Sequence, residues 1–253
     1  MKTNRIAALD GLRGLLALLV VVSHVEQQFL GSGYLFWPSQ AAVRIFFIMS
    51  SYVLVRGWGR YAMPVFLVRR LVRLWPTFAV CVLAGCAAGG VMPYLSWFAW
   101  SPIMVPVDPV SWSLSIEVRA MFAMPILVWC ARGGWLRSAL LGALWVSLLG
   151  VGFGGVIGLS FILGAALSRY EIRVPVLEGP SCQWLGTISY SLYLVHWPVL
   201  VVLHRGFGKW GVVAALPASL VVAYGLWWAV ERPSIALARR NPARALFGRV
   251  AVA

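Results

Sequence analysis

Apolar runs of about 20 residues recur along this chain between short breaks bearing proline, glycine or charge, and they constrain its fold more than any other feature. About 20 apolar residues wound as a helix cross roughly 30 Å of hydrocarbon, and a helix satisfies its own backbone where no water can. Eight such segments are expected, at roughly 12 to 29, 38 to 57, 75 to 92, 112 to 131, 136 to 150, 152 to 168, 184 to 204 and 210 to 230. The fold class expected is therefore all-α, a polytopic transmembrane helical bundle of about eight spans. A single domain fills residues 1 to 253, with a basic cytoplasmic tail over about 234 to 253. The pair from Leu136 to Ser168 has only a glycine-rich turn between its halves and could equally be re-entrant.

Composition agrees with a bilayer as solvent, since 61% of the residues are hydrophobic and only 11% charged. The formal charge of +14 comes from 21 Lys and Arg against 7 Asp and Glu. In a water-soluble chain that excess would point to nucleic acid. Here basic loops on the cytoplasmic side account for it, and no nucleic-acid partner is expected. With the N-terminus inside, 17 of the 21 basic residues fall on internal segments, Arg205 and Lys209 fall outside, and Arg44 and Arg119 lie within spans. Both termini are thus expected in the cytoplasm of a multi-pass cell (inner or plasma) membrane protein.

The first apolar stretch outruns a signal peptide and lacks a small-residue cleavage site, so it reads as the first span. Cys81, Cys86, Cys130 and Cys182 have no CxxC or zinc-ligand spacing, so no metal site is expected. Gly150, Gly154 and Gly158 make small-xxx-small steps that suit close helix packing. Pro64 to Trp75, apolar but carrying Arg69, Arg70 and Arg73, reads as an interfacial helix on the cytoplasmic face. Met92 to Trp112, rich in proline and tryptophan, is the longest external loop and a candidate cover for an acceptor site.

Ionisable groups inside spans cost about 2.5 to 3.5 kcal/mol each on insertion scales, so they mark paired or functional positions. They are Arg13 at the mouth of the first span, His24 within it, Arg44, Glu117, Arg119 and His196. Eleven residues separate Arg13 from His24, about 1100° of helix and roughly 16 Å of rise, so the two share a face. Depth arithmetic sets His24, His196, Glu117 and Arg44 near one level, with the arginines of 69 to 73 toward the cytoplasm. An imidazole there can take a proton from a hydroxyl, a carboxylate can orient it, and guanidinium groups suit phosphates. Each residue also has a purely structural use: His24 and His196 as interhelical hydrogen bonders, Glu117 as counterion to a buried arginine, and Glu231 paired with a cytoplasmic-face arginine.

LDGLRG at 9 to 14 with Ser23 and His24, RIFFIMSSYVL at 44 to 54, RRLVRLWP at 69 to 76, SWSLSIE at 111 to 117, ISYSLYLVHWP at 188 to 198 and ERP at 231 to 233 occur in this order. Together they resemble the membrane-bound acyltransferase family 3, the O-antigen and polysaccharide O-acetylase group. The resemblance implies an acyl-CoA-dependent O-acyltransferase, with acyl-CoA as cosubstrate (acetyl-CoA above all) and a carbohydrate-like hydroxyl as acceptor. Carried over residue by residue, it implies His24, Glu117 and Arg13 as catalytic, and Arg69, Arg70 and Arg73 on the donor side. Arg44, His196 and Trp112 are the candidates on the acceptor side. The chain departs from the family in length, in Ser51 and Tyr52 where glycine and phenylalanine are usual, and in Arg44 where an acidic or neutral residue is common. The residues also leave open a transporter or flippase with charges lining a path, a lipid or protein acyltransferase of another class centred on His196, and a catalytically degenerate family member. An HxxxxD motif is absent, because Phe29 and Val201 occupy the positions where its aspartate would stand.

Overall fold

The computed structural model describes residues 6–31, 33–59, 61–92, 108–150 and 152–240. Most of the external loop of 92 to 112 and most of the basic tail lie outside the described residues. Among the described residues the chain is helical, with no strand element. The order is α1 (Ala7–Leu30), α2 (Phe36–Gly57), α3 (Met63–Gly89), a 3-10 turn (Pro109–Ser111), α4 (Trp112–Phe122), α5 (Met124–Arg132), α6 (Gly134–Leu149) and α7 (Phe153–Leu167). A second 3-10 turn (Pro175–Glu178), α8 (Pro180–Leu226), a π-helical turn (Trp227–Glu231) and α9 (Arg232–Arg239) complete it.

Among the described residues, four stretches are long and apolar enough to cross a membrane: Ala7–Gln28, Phe36–Gly57, Met63–Gly89 and Pro180–Arg239. A fifth is added if Pro109–Phe122 and Met124–Arg132, bent by 68°, form one span. The stretch Pro180–Arg239 is not a single rod. Gly208 breaks it with φ 57° and ψ −139°, a backbone conformation open to glycine. The two arms then fold back on each other: Ser191 Oγ donates to Glu231 Oε2 at 2.6 Å, and a Cβ on Gly211 would lie 1.9 Å from the Leu203 carbonyl oxygen. Helices α6 and α7, of 16 and 15 residues, are about 24 and 22 Å long, shorter than the hydrocarbon layer.

Three local expectations are corrected. Pro64 to Trp75 is not a separate interfacial helix but the first half of α3, which runs unbroken through Pro76. Proline removes one ladder hydrogen bond, and in a bundle a neighbour can repair the site. Close by, the Tyr190 hydroxyl donates to the Leu74 carbonyl at 2.8 Å and ties this part of α3 to α8. The segment 112 to 131 is not straight but turns at Ala123, just before Pro125. Of the three spaced glycines only Gly158 meets another residue closely, where a Cβ would press on the Trp145 indole. Helix α3 ends in a Schellman turn, with Gly90 at φ 66° donating to Ala87 and Val91 donating to Cys86.

Helix α1 joins two apolar cores because both of its sides are apolar. Leu9, Leu16 and Val20 share one apolar core with residues of α2, α5 and α7, whereas Ala17 and Val21 share another with residues of α3, α4 and α8. In lipid, burial of apolar area does not drive helices together, and close approach of small residues does. The α1–α8 crossing is built in that way. A Cβ on Gly14 would sit 2.4 Å from the Gly186 amide nitrogen, and one on Gly186 would sit 2.2 Å from the Asp10 carbonyl oxygen. The helices run parallel, so successive pairs climb together: Gln183 Nε2 donates to the Ala7 carbonyl at 2.7 Å, Arg13 Nε to Ser189 Oγ at 3.0 Å, and His24 meets His196 further along.

Candidate functional site

The arrangement has two ends joined by α1. At one end lies a cavity of about 990 Å³. Its walls carry Arg13, Arg56, Arg69, Arg70, Arg73, Arg173, Arg232 and Arg239 against the carboxylates Asp10, Glu171, Glu178 and Glu231, so it is strongly positive. Arg13, Arg69, Arg70 and Arg73, singled out from the sequence, all face it. Arg13 is held by Ser189 on one nitrogen and by Asp10 Oδ1 at 3.1 Å on another. Arg69 stacks over the Tyr61 ring with its guanidinium carbon 4.2 Å from the centroid. The Nε of Arg70 is buried without a hydrogen-bond partner among the described residues, a donor left over on a cavity-lining guanidinium.

Glu117 belongs to this end. It accepts a hydrogen bond from Ser50 Oγ at 2.7 Å and pairs with the Arg70 guanidinium, which ties α2, α3 and α4 at one point. The depth arithmetic placed Glu117 with the histidines. The arithmetic assumed straight, upright helices, and α4 is short, bent away from α5 and tucked between α2 and α3. Glu231, which the sequence placed beside a cytoplasmic-face arginine, lines the same cavity from the π-helical turn and holds Ser191. The lengthened turn rotates this carboxylate inward, a common use of π-bulges.

At the other end His24 Nδ1 and His196 Nε2 are 2.9 Å apart, with the rings nearly parallel. His196 is buried, and its Nδ1 lies 3.2 Å from the Leu192 carbonyl oxygen. His24 is half-buried, with the Trp197 indole edge-on to it at 5.4 Å. Ser23, beside it on α1, donates to Ser39, which donates to the Phe36 carbonyl and so fixes the start of α2 against α1. The expected common depth of His24 and His196 is realised as direct contact.

The structure does not bring Arg44 or Trp112 to the imidazoles. Arg44 is exposed on the outer face of α2, and Trp112 packs its ring against Phe47 at 6.0 Å. Arg119, also exposed, donates to Ser115. Ser51 and Tyr52, the two departures from the family pattern, are structural: Ser51 Oγ donates to the Phe161 carbonyl at 2.7 Å, and the Tyr52 hydroxyl donates to the Tyr170 carbonyl at 2.6 Å. Among the described residues no three His, Cys, Asp or Glu side chains gather as metal ligands.

Sequence reasoning passed over Ser189, Ser50 and Asp108. Ser189 and His196 are seven apart, two turns on one face of α8, a spacing legible within ISYSLYLVHWP. Asp108, just before the Pro109–Ser111 turn, is fully buried, and neither oxygen has a hydrogen-bond partner of good geometry among the described residues. Burial pushes its carboxyl up to about 8, opposed only by the nearby Val110 amide. Above the unfolded carboxyl's range near 3.9 the unfolded chain ionises while the folded one keeps its proton, so stability falls as pH rises, until the folded group also ionises. Between pH 6 and 8 the loss is on the order of 2 kcal/mol. Thermal unfolding in detergent is expected to show it for the native chain, with a flat profile for Asp108→Asn.

Residues 6–176 match the acyltransferase domain of acyltransferase family 3, a region that holds Arg13, His24, the arginines of α3 and Glu117 and ends before α8. Comparison with curated proteins and with solved structures returns no match. The matched region spans well over half of the 253 residues, its helices include several fit to cross a bilayer, and the chain therefore belongs to acyltransferase family 3 and is a membrane acyltransferase.

Proposed function

We propose that the protein moves an acyl group, acetyl above all, from acyl-CoA to a hydroxyl of a carbohydrate or glycoside acceptor. The observation that carries this reading is that one helix, α1, presents Arg13 to the arginine-lined cavity and His24 to a separate imidazole site about 16 Å further along. A pantetheine arm covers such a distance, so nucleotide phosphates at the arginines leave the thioester near His24. Charge-assisted hydrogen bonds from Arg69, Arg70, Arg73 and Arg13 hold the phosphates. His24 takes the proton of the acceptor hydroxyl as its oxygen attacks the thioester carbonyl. The C–S bond breaks, the new C–O bond remains, and the proton passes from His24 to the departing thiolate. Glu117, fixed on Arg70, balances charge at the donor end. The proposed topology has eight passes and cytoplasmic termini in the cell membrane. The 17-to-2 division of basic residues supports it, and it sets the arginine cavity on the side where acyl-CoA is made. Cysteine labelling that placed residues near Met1 outside the cell would contradict it.

The test uses the purified protein in nanodiscs with labelled acetyl-CoA and a panel of glycans and glycosides, following CoA release and acylated product. Acyl-CoA-dependent acceptor modification supports the reading, and its absence together with absence of acyl-CoA binding overturns it. In the same assay Arg69→Gln and Arg73→Gln are each expected to raise KM for acetyl-CoA about 10-fold or more with little change in kcat, the cost of one charge-assisted hydrogen bond.

A further inference from the structure

We infer that His196 is a positioning residue that sets the tautomer of His24, an assignment that rests on the reading of His24 as the base. The chain of hydrogen bonds admits one arrangement for a neutral pair. The Leu192 carbonyl, 3.2 Å from His196 Nδ1, can only accept, so Nδ1 of His196 carries its proton. A neutral imidazole has a single N–H, which leaves Nε2 of His196 as a bare lone pair. That lone pair faces His24 Nδ1 at 2.9 Å, so Nδ1 of His24 carries its own proton and donates it. Nε2 of His24, on the far edge of the ring from Nδ1, is then the unprotonated nitrogen that can accept from a hydroxyl.

The arrangement is rigid. His196 is 1% exposed, and its ring lies near Tyr193, with centroids 6.1 Å apart, while the Tyr193 hydroxyl is anchored on Ser113 at 2.9 Å. A helix carbonyl and a second imidazole thus perform the orienting task that a carboxylate performs in a Ser-His-Asp triad. During transfer the hydroxyl proton goes to His24 Nε2 and the Nδ1 proton stays in place, so no proton has to reach His196. The Nδ1–H to His196 bond becomes charge-assisted as His24 gains its proton, and it is stronger in the transition state than before it. Without His196 the ring is free to turn or to put its proton on Nε2, the nitrogen needed as base.

The chain has three histidines, which makes 15N-histidine labelling of the intact protein in nanodiscs readable, with His204→Asn for assignment. The wild-type spectrum is expected to show His24 protonated on Nδ1 and bare on Nε2, and to shift toward Nε2–H in His196→Phe. The kcat of His196→Phe is expected to fall about 100-fold with KM for acetyl-CoA unchanged. His196→Gln, whose side-chain carbonyl can occupy the place of Nε2, is expected to stay within a few-fold of wild type. Wild-type kcat in His196→Phe alongside an inactive His24→Ala overturns the assignment and leaves the base reading intact. Full activity in His24→Ala overturns the base reading itself. If His196→Phe fails to fold, the wild-type spectrum still decides: a proton on His24 Nε2 overturns the assignment.

Discussion

His24→Ala is expected to lower acyl transfer by about 1,000-fold or more while leaving the protein folded and able to bind acyl-CoA. The separation of the two ends dictates that pattern. Arg13 and the α3 arginines face the cavity, and no contact of theirs passes through the imidazole of His24. What folding loses is one interhelical hydrogen bond to His196, and such bonds average about 0.6 kcal/mol in membrane bundles. Calorimetric titration with a non-hydrolysable acyl-CoA analogue, beside the transfer assay, checks both halves. Loss of donor binding together with activity would mean that His24 supports the cavity rather than the chemistry.

The second large effect is expected at Gly186. A single methyl there meets the Asp10 carbonyl oxygen at 2.2 Å, and because both partners are helix backbone neither can swing aside. Gly186→Ala must therefore push α1 and α8 apart, which lengthens Arg13–Ser189 and His24–His196 together. The expected cost is about 3 kcal/mol, the upper end for overpacking, with near-complete loss of transfer. Gly206→Ala, where a Cβ meets nothing within 4 Å, is the control and is expected to retain stability and activity. Thermal unfolding and initial rates of the two variants in the same nanodiscs test the contrast. Equal behaviour of the pair would refute tight α1–α8 contact as the basis of the site.

Much of this architecture was legible in the sequence because a bilayer leaves a chain few choices. The eight apolar segments are helical among the described residues, one of them as two bent helices, since apolar length and backbone satisfaction together demand it, although only four or five stretches are long and apolar enough to cross a membrane. The shared face of Arg13 and His24 followed from helix period alone, and both side chains turn toward α8. What the sequence hid is what depends on tilt and on breaks. Three arginines and a proline made 64 to 75 look like an interfacial helix separate from the span that follows, but α3 runs continuously through Pro76, and the Tyr190 hydroxyl on the Leu74 carbonyl ties it to α8. Counting residues from a span's mouth put Glu117 beside the histidines. The bend at Ala123 and the pull of Arg70 place it at the arginine-lined end, a result of tertiary contacts that no local pattern records. Arg44, read as buried because it lies in an apolar run, is exposed on its helix, as hydropathy does not say which side of a span faces its neighbours.

The hydrogen bonds that define both ends of the site connect residues 176 and 172 positions apart. Translation releases α1 first and α8 near the end, so His24 waits beside lipid and half-built neighbours until the last hairpin inserts. On the proposed reading of His24, the imidazole site forms only once α8 has joined α1, and a product terminated before α8 is expected to lack transfer. The same seam suggests where to divide the chain: two fragments parted between α7 and α8, co-expressed in one membrane, are expected to associate through the close α1–α8 contact.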